Sequence, residues 1–188
     1  MKLIEIPELF QSYESGGKFS ECLVCKKNLL EENTHYLVEK AIRNYPEMNS
    51  KDVIFEYAMC FECADKLKDE LSEESFKKIT EYFEKNVDLN KRFQESVNFG
   101  DDYQEYISNC MVTNQSINEL NEYAIEAHCI GDKMALSFMP YMISEQAMDG
   151  IADLLSNKTL NFLNGFMDDY FAYPPEFREL FTRRLILI

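Results

Sequence analysis

Two short stretches, Cys22-Leu-Val-Cys25 and Cys60-Phe-Glu-Cys63, hold four of the six cysteines in this 188-residue chain. Each pair is separated by two residues, the spacing at which two thiolates in one tight turn reach a common ion. Two such turns supply the four ligands of a tetrahedral zinc site, with zinc–sulfur bonds near ~2.3 Å. A fold built on this site must bring residues 22–25 against residues 60–63, so the 34 residues between the pairs must leave and return. Two rival readings explain less. Buried apolar thiols would not come in matched pairs. A thioredoxin-type redox pair needs one such motif at a helix start in a βαβ setting, which surrounds neither pair. One zinc ion per chain is expected, on Cys22, Cys25, Cys60 and Cys63.

The residues between the pairs have the composition of a hairpin. Residues 35–43 and 53–60 are rich in Val, Ile, Phe and Tyr, which favour strands, and residues 44–52 hold Asn, Pro and Ser, which predict a long turn. After Cys63, Leu67 and Leu71 lie four apart, and Phe76, Ile79 and Phe83 continue at helical spacing among charged residues. This predicts one amphipathic helix or two, with a restart at Ser72-Glu-Glu-Ser75. The order of knuckle, hairpin and helix, with the last two thiols at the helix start, resembles a treble-clef zinc finger over about residues 20–85. The resemblance implies a structural zinc scaffold; a fold alone does not fix a function. A helix N-terminus beside Cys60 and Cys63 would also favour thiolates over thiols.

A second segment repeats this order. Cys22 aligns with Cys110, Val24 with Val112, Tyr36 with Tyr123, Val38 with Ile125 and Glu39 with Glu126. Further on, Tyr57 aligns with Tyr141, Leu71 with Leu155, Ser72 with Ser156 and Ile79 with Leu163. Cys25, Cys60 and Cys63 fall on Thr113, Ser144 and Ala147, so the second segment cannot close a zinc site. It must be held by apolar packing, for which Ile151, Leu154, Leu155, Leu160, Phe162, Leu163, Phe166 and Met167 are available. A short Gly-Asp turn at 130–134 stands where the first segment has its long tip. The expected fold class is therefore α+β, as duplicated treble-clef-like units (zinc knuckle, β-hairpin, helix), the second lacking metal ligands. The expected divisions are an N-terminal extension at 1–20, a zinc-binding unit at 21–98, and a degenerate unit at 99–188 ending in a C-terminal helix and tail.

Charge narrows the function. Lys and Arg number 19 against 34 Asp and Glu, a net charge of -15 that runs through both halves. Most of this surface repels a phosphate backbone, so nucleic acid is disfavoured as a partner and a basic protein is favoured. The N-terminus has no signal-peptide pattern and no stretch is apolar enough to span a bilayer, which leads to a cytoplasmic expectation, where thiols stay reduced. A site closed by four thiolates has no open position for water. The expected role is thus a non-enzymatic interaction or scaffold module. The alternatives are a nucleic-acid-binding zinc finger and an enzyme with its site in a cleft between the two units.

Few other residues suggest chemistry. His128 and Cys129 are adjacent, but neighbours on a strand point to opposite faces and cannot easily act as base and nucleophile. His35 lies near the first strand and could support a thiolate, though four cysteines suffice. Residues 15–20, SGGKFS, lack the remaining elements of a phosphate-binding loop and read as a flexible connector. In the tail, Pro174 and Pro175 suit a helix start, Phe177, Leu180 and Phe181 recur at helical spacing, and Leu185 to Ile188 form an apolar end expected to tuck against the protein.

Overall fold

A computed structural model describes residues 1–48, 50–171, 173, 183 and 184. The expected tail helix and apolar chain end lie outside these residues. In chain order the elements are β1 (Lys2–Glu5), β2 (His35–Tyr45), β3 (Ser50–Cys60), α1 (Phe61–Asp69), α2 (Glu73–Asn86), α3 (Leu89–Phe99), α4 (Tyr103–Tyr106), β4 (Glu122–Ile130), β5 (Lys133–Leu136), β6 (Tyr141–Ser144), α5 (Glu145–Ala152) and α6 (Asn157–Tyr170). The fold is α+β, with one antiparallel sheet and six α-helices among the described residues.

The sheet runs β1-β5-β4-β2-β3, and β6 also pairs with β4. Its centre is the β2–β4 seam, from His35↔Ile130 to Arg43↔Glu122. This seam joins strands from either side of residue 98. Side chains from both halves therefore share one core, which includes Tyr36, Val38, Tyr123, Ile125, Tyr141 and Leu163.

The first hairpin is longer than expected and its tip shorter. Asn44 pairs with Lys51 and Tyr45 with Ser50, leaving a 3-10 turn at Pro46–Met48. The polar residues at 44–52 are drawn into the strands by neighbours from the second half. The Asn44 amide donates to Asn121 O at 2.6 Å, and Lys51 Nζ donates to the Tyr123 hydroxyl at 3.1 Å. The second hairpin turns at 131–132 as expected, but its return strand is split into β5 and β6. β5 leaves β4 after two paired positions and pairs with β1, from Lys2↔Leu136 to Glu5↔Lys133. Gly131 permits the turn. It has φ +55°, and a Cβ there would lie 3.2 Å from Glu31 O.

The N-terminal segment is thus built into the sheet edge rather than appended to it. Within residues 15–20, read as a flexible connector, the Ser15 amide donates to Ser12 Oγ at 3.1 Å, Gly17 O accepts from the Ser12 amide at 2.7 Å and Lys18 Nζ donates to Asp132 O at 2.9 Å. The preceding residues are held as well. Glu56 Oε1 accepts from Ser12 Oγ at 2.9 Å and from the Tyr13 amide at 2.7 Å, and Glu56 Oε2 meets the buried Lys40 ammonium at 2.8 Å.

The helix restart at Ser72 is present: its hydroxyl caps α2 by accepting from the Ser75 amide at 3.1 Å. Ser156 caps α6 in the same way through Thr159, at 3.3 Å. The two caps meet, with Ser72 Oγ 2.8 Å from Ser156 Oγ. Each serine amide also reaches across: Ser72 N to Thr159 Oγ1 at 3.0 Å and Ser156 N to Ser75 Oγ at 2.8 Å. Four hydroxyls thereby satisfy donors that two helix N-termini would otherwise leave open.

Candidate metal centre

The sulfur atoms of Cys22, Cys25, Cys60 and Cys63 all lie within 4.8 Å of one another. Local backbone geometry places them. The chain reverses after Cys22, with the Lys26 amide donating to Cys22 O at 3.0 Å and the Cys22 amide to Lys27 O at 2.9 Å. Lys26 takes the left-handed conformation, φ 59°, to close this knuckle. The Leu23 amide donates to Ala58 O at 2.8 Å and ties the knuckle to the end of β3. Cys60 is the N-cap of α1 and Cys63 lies in its first turn.

The donors fit zinc. A tetrahedron with arms near ~2.3 Å has edges of about 3.8 Å, and Cys25 Sγ lies 3.7 Å from Cys60 Sγ. Three of the cysteines are buried and Cys25 is exposed. Burial works against ionising Cys22, yet amide donors from Cys25, Cys60 and Val24 prevail and bring it to about 7. Cys60 and Cys63 are pushed upward, chiefly by burial. Without an ion, burial therefore disfavours thiolates at Cys60 and Cys63. A divalent ion would hold all four thiolates by supplying the missing positive charge. No side chain other than the four thiols belongs to this cluster among the described residues.

His35 does not support a thiolate. Its Nδ1 lies 3.0 Å from His128 Nε2, and both rings pack near Phe61. Cys129 is fully buried on the opposite face of β4, as strand alternation requires, so His128 and Cys129 do not form a catalytic pair.

The corresponding turn in the second half makes the same backbone bonds. Asn114 N donates to Cys110 O at 2.9 Å, Cys110 N to Gln115 O at 2.8 Å, and Met111 N to Met142 O at 2.9 Å. Asn114 has φ 59°, the value found at Lys26. Cys22 Sγ accepts from Cys60 N at 3.4 Å, and Cys110 Sγ accepts from Ser144 N at 3.2 Å. At the positions that align with Cys25 and Cys60, Thr113 Oγ1 and Ser144 Oγ lie 3.1 Å apart. Sequence reasoning assigned this half to apolar packing alone. Ile151, Leu163, Phe166 and Met167 are indeed buried, but the hydroxyl clasp was missed. The Thr and Ser aligned with Cys25 and Cys60 were its visible signal.

Two further features emerge. Tyr57, Glu39, Glu126 and Tyr141 form a row across β3, β2, β4 and β6. The other is α3, whose polarity is inverted. Arg92 faces inward, where Nη2 donates to Tyr106 O at 2.8 Å and Pro140 O at 2.6 Å, between the rings of Phe99 and Tyr106. Leu89, Phe93 and Val97 face outward at 59%, 69% and 69% exposure. Leu89 also lines an apolar groove of about 390 Å³, together with Phe76, Ile79, Phe83, Val87, Met111 and Phe138 among others. No helix among the described residues is long and apolar enough to cross a membrane.

No protein-family model, no curated protein and no solved structure matches this chain.

Proposed function

We propose that the chain is a zinc-stabilised protein–protein interaction module. Its two treble-clef-like units, residues 21–98 and 99–188, would be copies of one ancestral unit, the second having exchanged its metal for a hydroxyl clasp. The paired backbone bonds at Cys22 and Cys110, the matching left-handed residues Lys26 and Asn114, and the reciprocal caps at Ser72 and Ser156 support the duplication. The four-thiolate set supports zinc and a structural rather than catalytic role, because a site closed by four thiolates leaves water no coordination position. A reducing compartment such as the cytoplasm suits such a site.

The observation that carries the interaction role is the outward face of α3. A helix that buries its arginine and exposes Leu89, Phe93 and Val97 has its apolar stripe turned to solvent. Such a patch beside an apolar groove marks a binding surface. Residues 84–105 carry six acidic side chains and three basic ones, of which Arg92 is buried. The fitting partner is therefore a protein segment with apolar anchors and basic flanks.

The test compares proteins captured from the native cell by the zinc-loaded chain and by Phe93→Asp. The reading expects a basic protein that the native chain retains and the variant loses, with a zinc content of one ion in both. Identical captures would defeat it, as would a native homodimer that the substitution splits. Flat binding of duplex DNA and RNA at low salt is expected, because phosphate contacts would give a steep salt slope.

A further inference from the structure

The row of four polar residues across the sheet has no part in the metal centre. Glu39 and Glu126 are direct partners on β2 and β4, Tyr57 is opposite Glu39 on β3, and Tyr141 is opposite Glu126 on β6. Directly opposed residues of antiparallel strands project to the same face. The four side chains therefore stand side by side. Tyr57 donates its hydroxyl proton to hydrogen-bond Glu39 Oε2, and Tyr141 does the same to Glu126 Oε2. The glutamates are 2% and 3% exposed.

Opposed like charges destabilise a strand pair, and two close, buried carboxylates cannot both ionise easily. We propose that Glu39 and Glu126 share one proton and form a pH-sensitive latch across the seam between the two halves. In the latched state the carboxyl O–H of one glutamate donates to the other's carboxylate, the phenols occupy the remaining oxygens, and the row carries one negative charge. As pH rises the shared proton passes to water and the row carries two. A cavity of about 220 Å³ reaches both glutamates and gives the proton a path. Its rim carries Asp65 and Lys68 from α1. His128 lies two residues along β4 from Glu126, and it stacks on His35.

Burial pushes Glu126 up to about 7, against the opposing pull of the Tyr141 hydrogen bond. A raised carboxyl contributes stability that is present below the ordinary carboxylate value and is lost as pH rises through about 7. His128 runs the other way, since burial and His35 lower it.

The experiment is a titration of the zinc-loaded native chain by NMR with carboxyl-labelled glutamate. Two of the buried glutamate signals are expected to titrate as a coupled pair, with midpoints separated by about two pH units or more. In parallel, the native melting temperature should fall between about pH 4.5 and pH 7 and level off above that, with the fall diminished in Glu126→Gln and retained in His128→Asn. Coincident titration of both glutamates in the ordinary acid range would overturn the latch. An undiminished fall in Glu126→Gln would overturn it equally. If that variant does not fold, the native titration decides alone.

Discussion

If the hydroxyl clasp occupies a former metal site, returning the thiols should return the metal. The variant carries Thr113→Cys, Ser144→Cys and Ala147→Cys beside the native Cys110. The knuckle is already formed, since Asn114 N to Cys110 O is 2.9 Å and the corresponding bond at Lys26 is 3.0 Å. Thr113 Oγ1 and Ser144 Oγ are 3.1 Å apart, against 3.7 Å for Cys25 Sγ and Cys60 Sγ. Longer carbon–sulfur bonds and larger atoms would open the former towards the latter. Metal-free, the variant loses the Thr113–Ser144 hydrogen bond, about 1 kcal/mol, and the Ser144 cap of α5, about another 1 kcal/mol. The added sulfur at the buried Ala147 costs about 1–3 kcal/mol. The metal-free variant should therefore be less stable by roughly 3–5 kcal/mol if these effects add. Zinc binding to four thiolates contributes on the order of 10 kcal/mol, which outweighs the loss. Cobalt titration, followed by thiolate-to-metal absorption, should show two equivalents where the native chain shows one, and melting should rise with the second equivalent. A variant with native circular dichroism that binds only one equivalent would refute the reasoning.

Other outcomes follow from individual contacts. Arg92→Met removes two charge-assisted hydrogen bonds to the Tyr106 and Pro140 carbonyls. It should cost about 2–4 kcal/mol in urea unfolding, whereas a loss under about 1 kcal/mol would mean that Arg92 does not anchor α3. Ser156→Ala removes the α6 cap and its contact with Ser72, with an expected loss of about 1–2 kcal/mol by the same assay. His128 is held below its ordinary value by burial and by His35. Its stabilising contribution is present above about pH 6.5 and is lost as pH falls through that value towards its lower folded one. His128→Asn should flatten the acid side of the stability profile, and an unchanged slope there would contradict the pairing with His35.

The clustering of Cys22, Cys25, Cys60 and Cys63 was legible because it depends on local spacing: two residues between thiols define a knuckle wherever it occurs. The first hairpin and the Ser72 restart were legible for the same reason, through strand composition and cap chemistry. The β2–β4 seam was not, because register between distant strands leaves no local mark. Glu39 and Glu126 were aligned as equivalents, but nothing in the sequence showed that they face each other. β1 was also hidden, since a four-residue strand at the chain start gains its identity only from β5. The helix α3 was not read from the sequence at all, and helical periodicity applied to it would place Leu89, Phe93 and Val97 inward and Arg92 outward. The cage of carbonyls and rings around Arg92 reverses that choice.

The central claim is that Cys22, Cys25, Cys60 and Cys63 together hold one zinc ion, and X-ray absorption at the zinc edge on metal-quantified protein tests it most directly. The expected result is one zinc per chain with four sulfur neighbours at about 2.3 Å and no nitrogen or oxygen in the first shell. Purified protein without metal, a second zinc per native chain, or a first shell containing imidazole or water would contradict it.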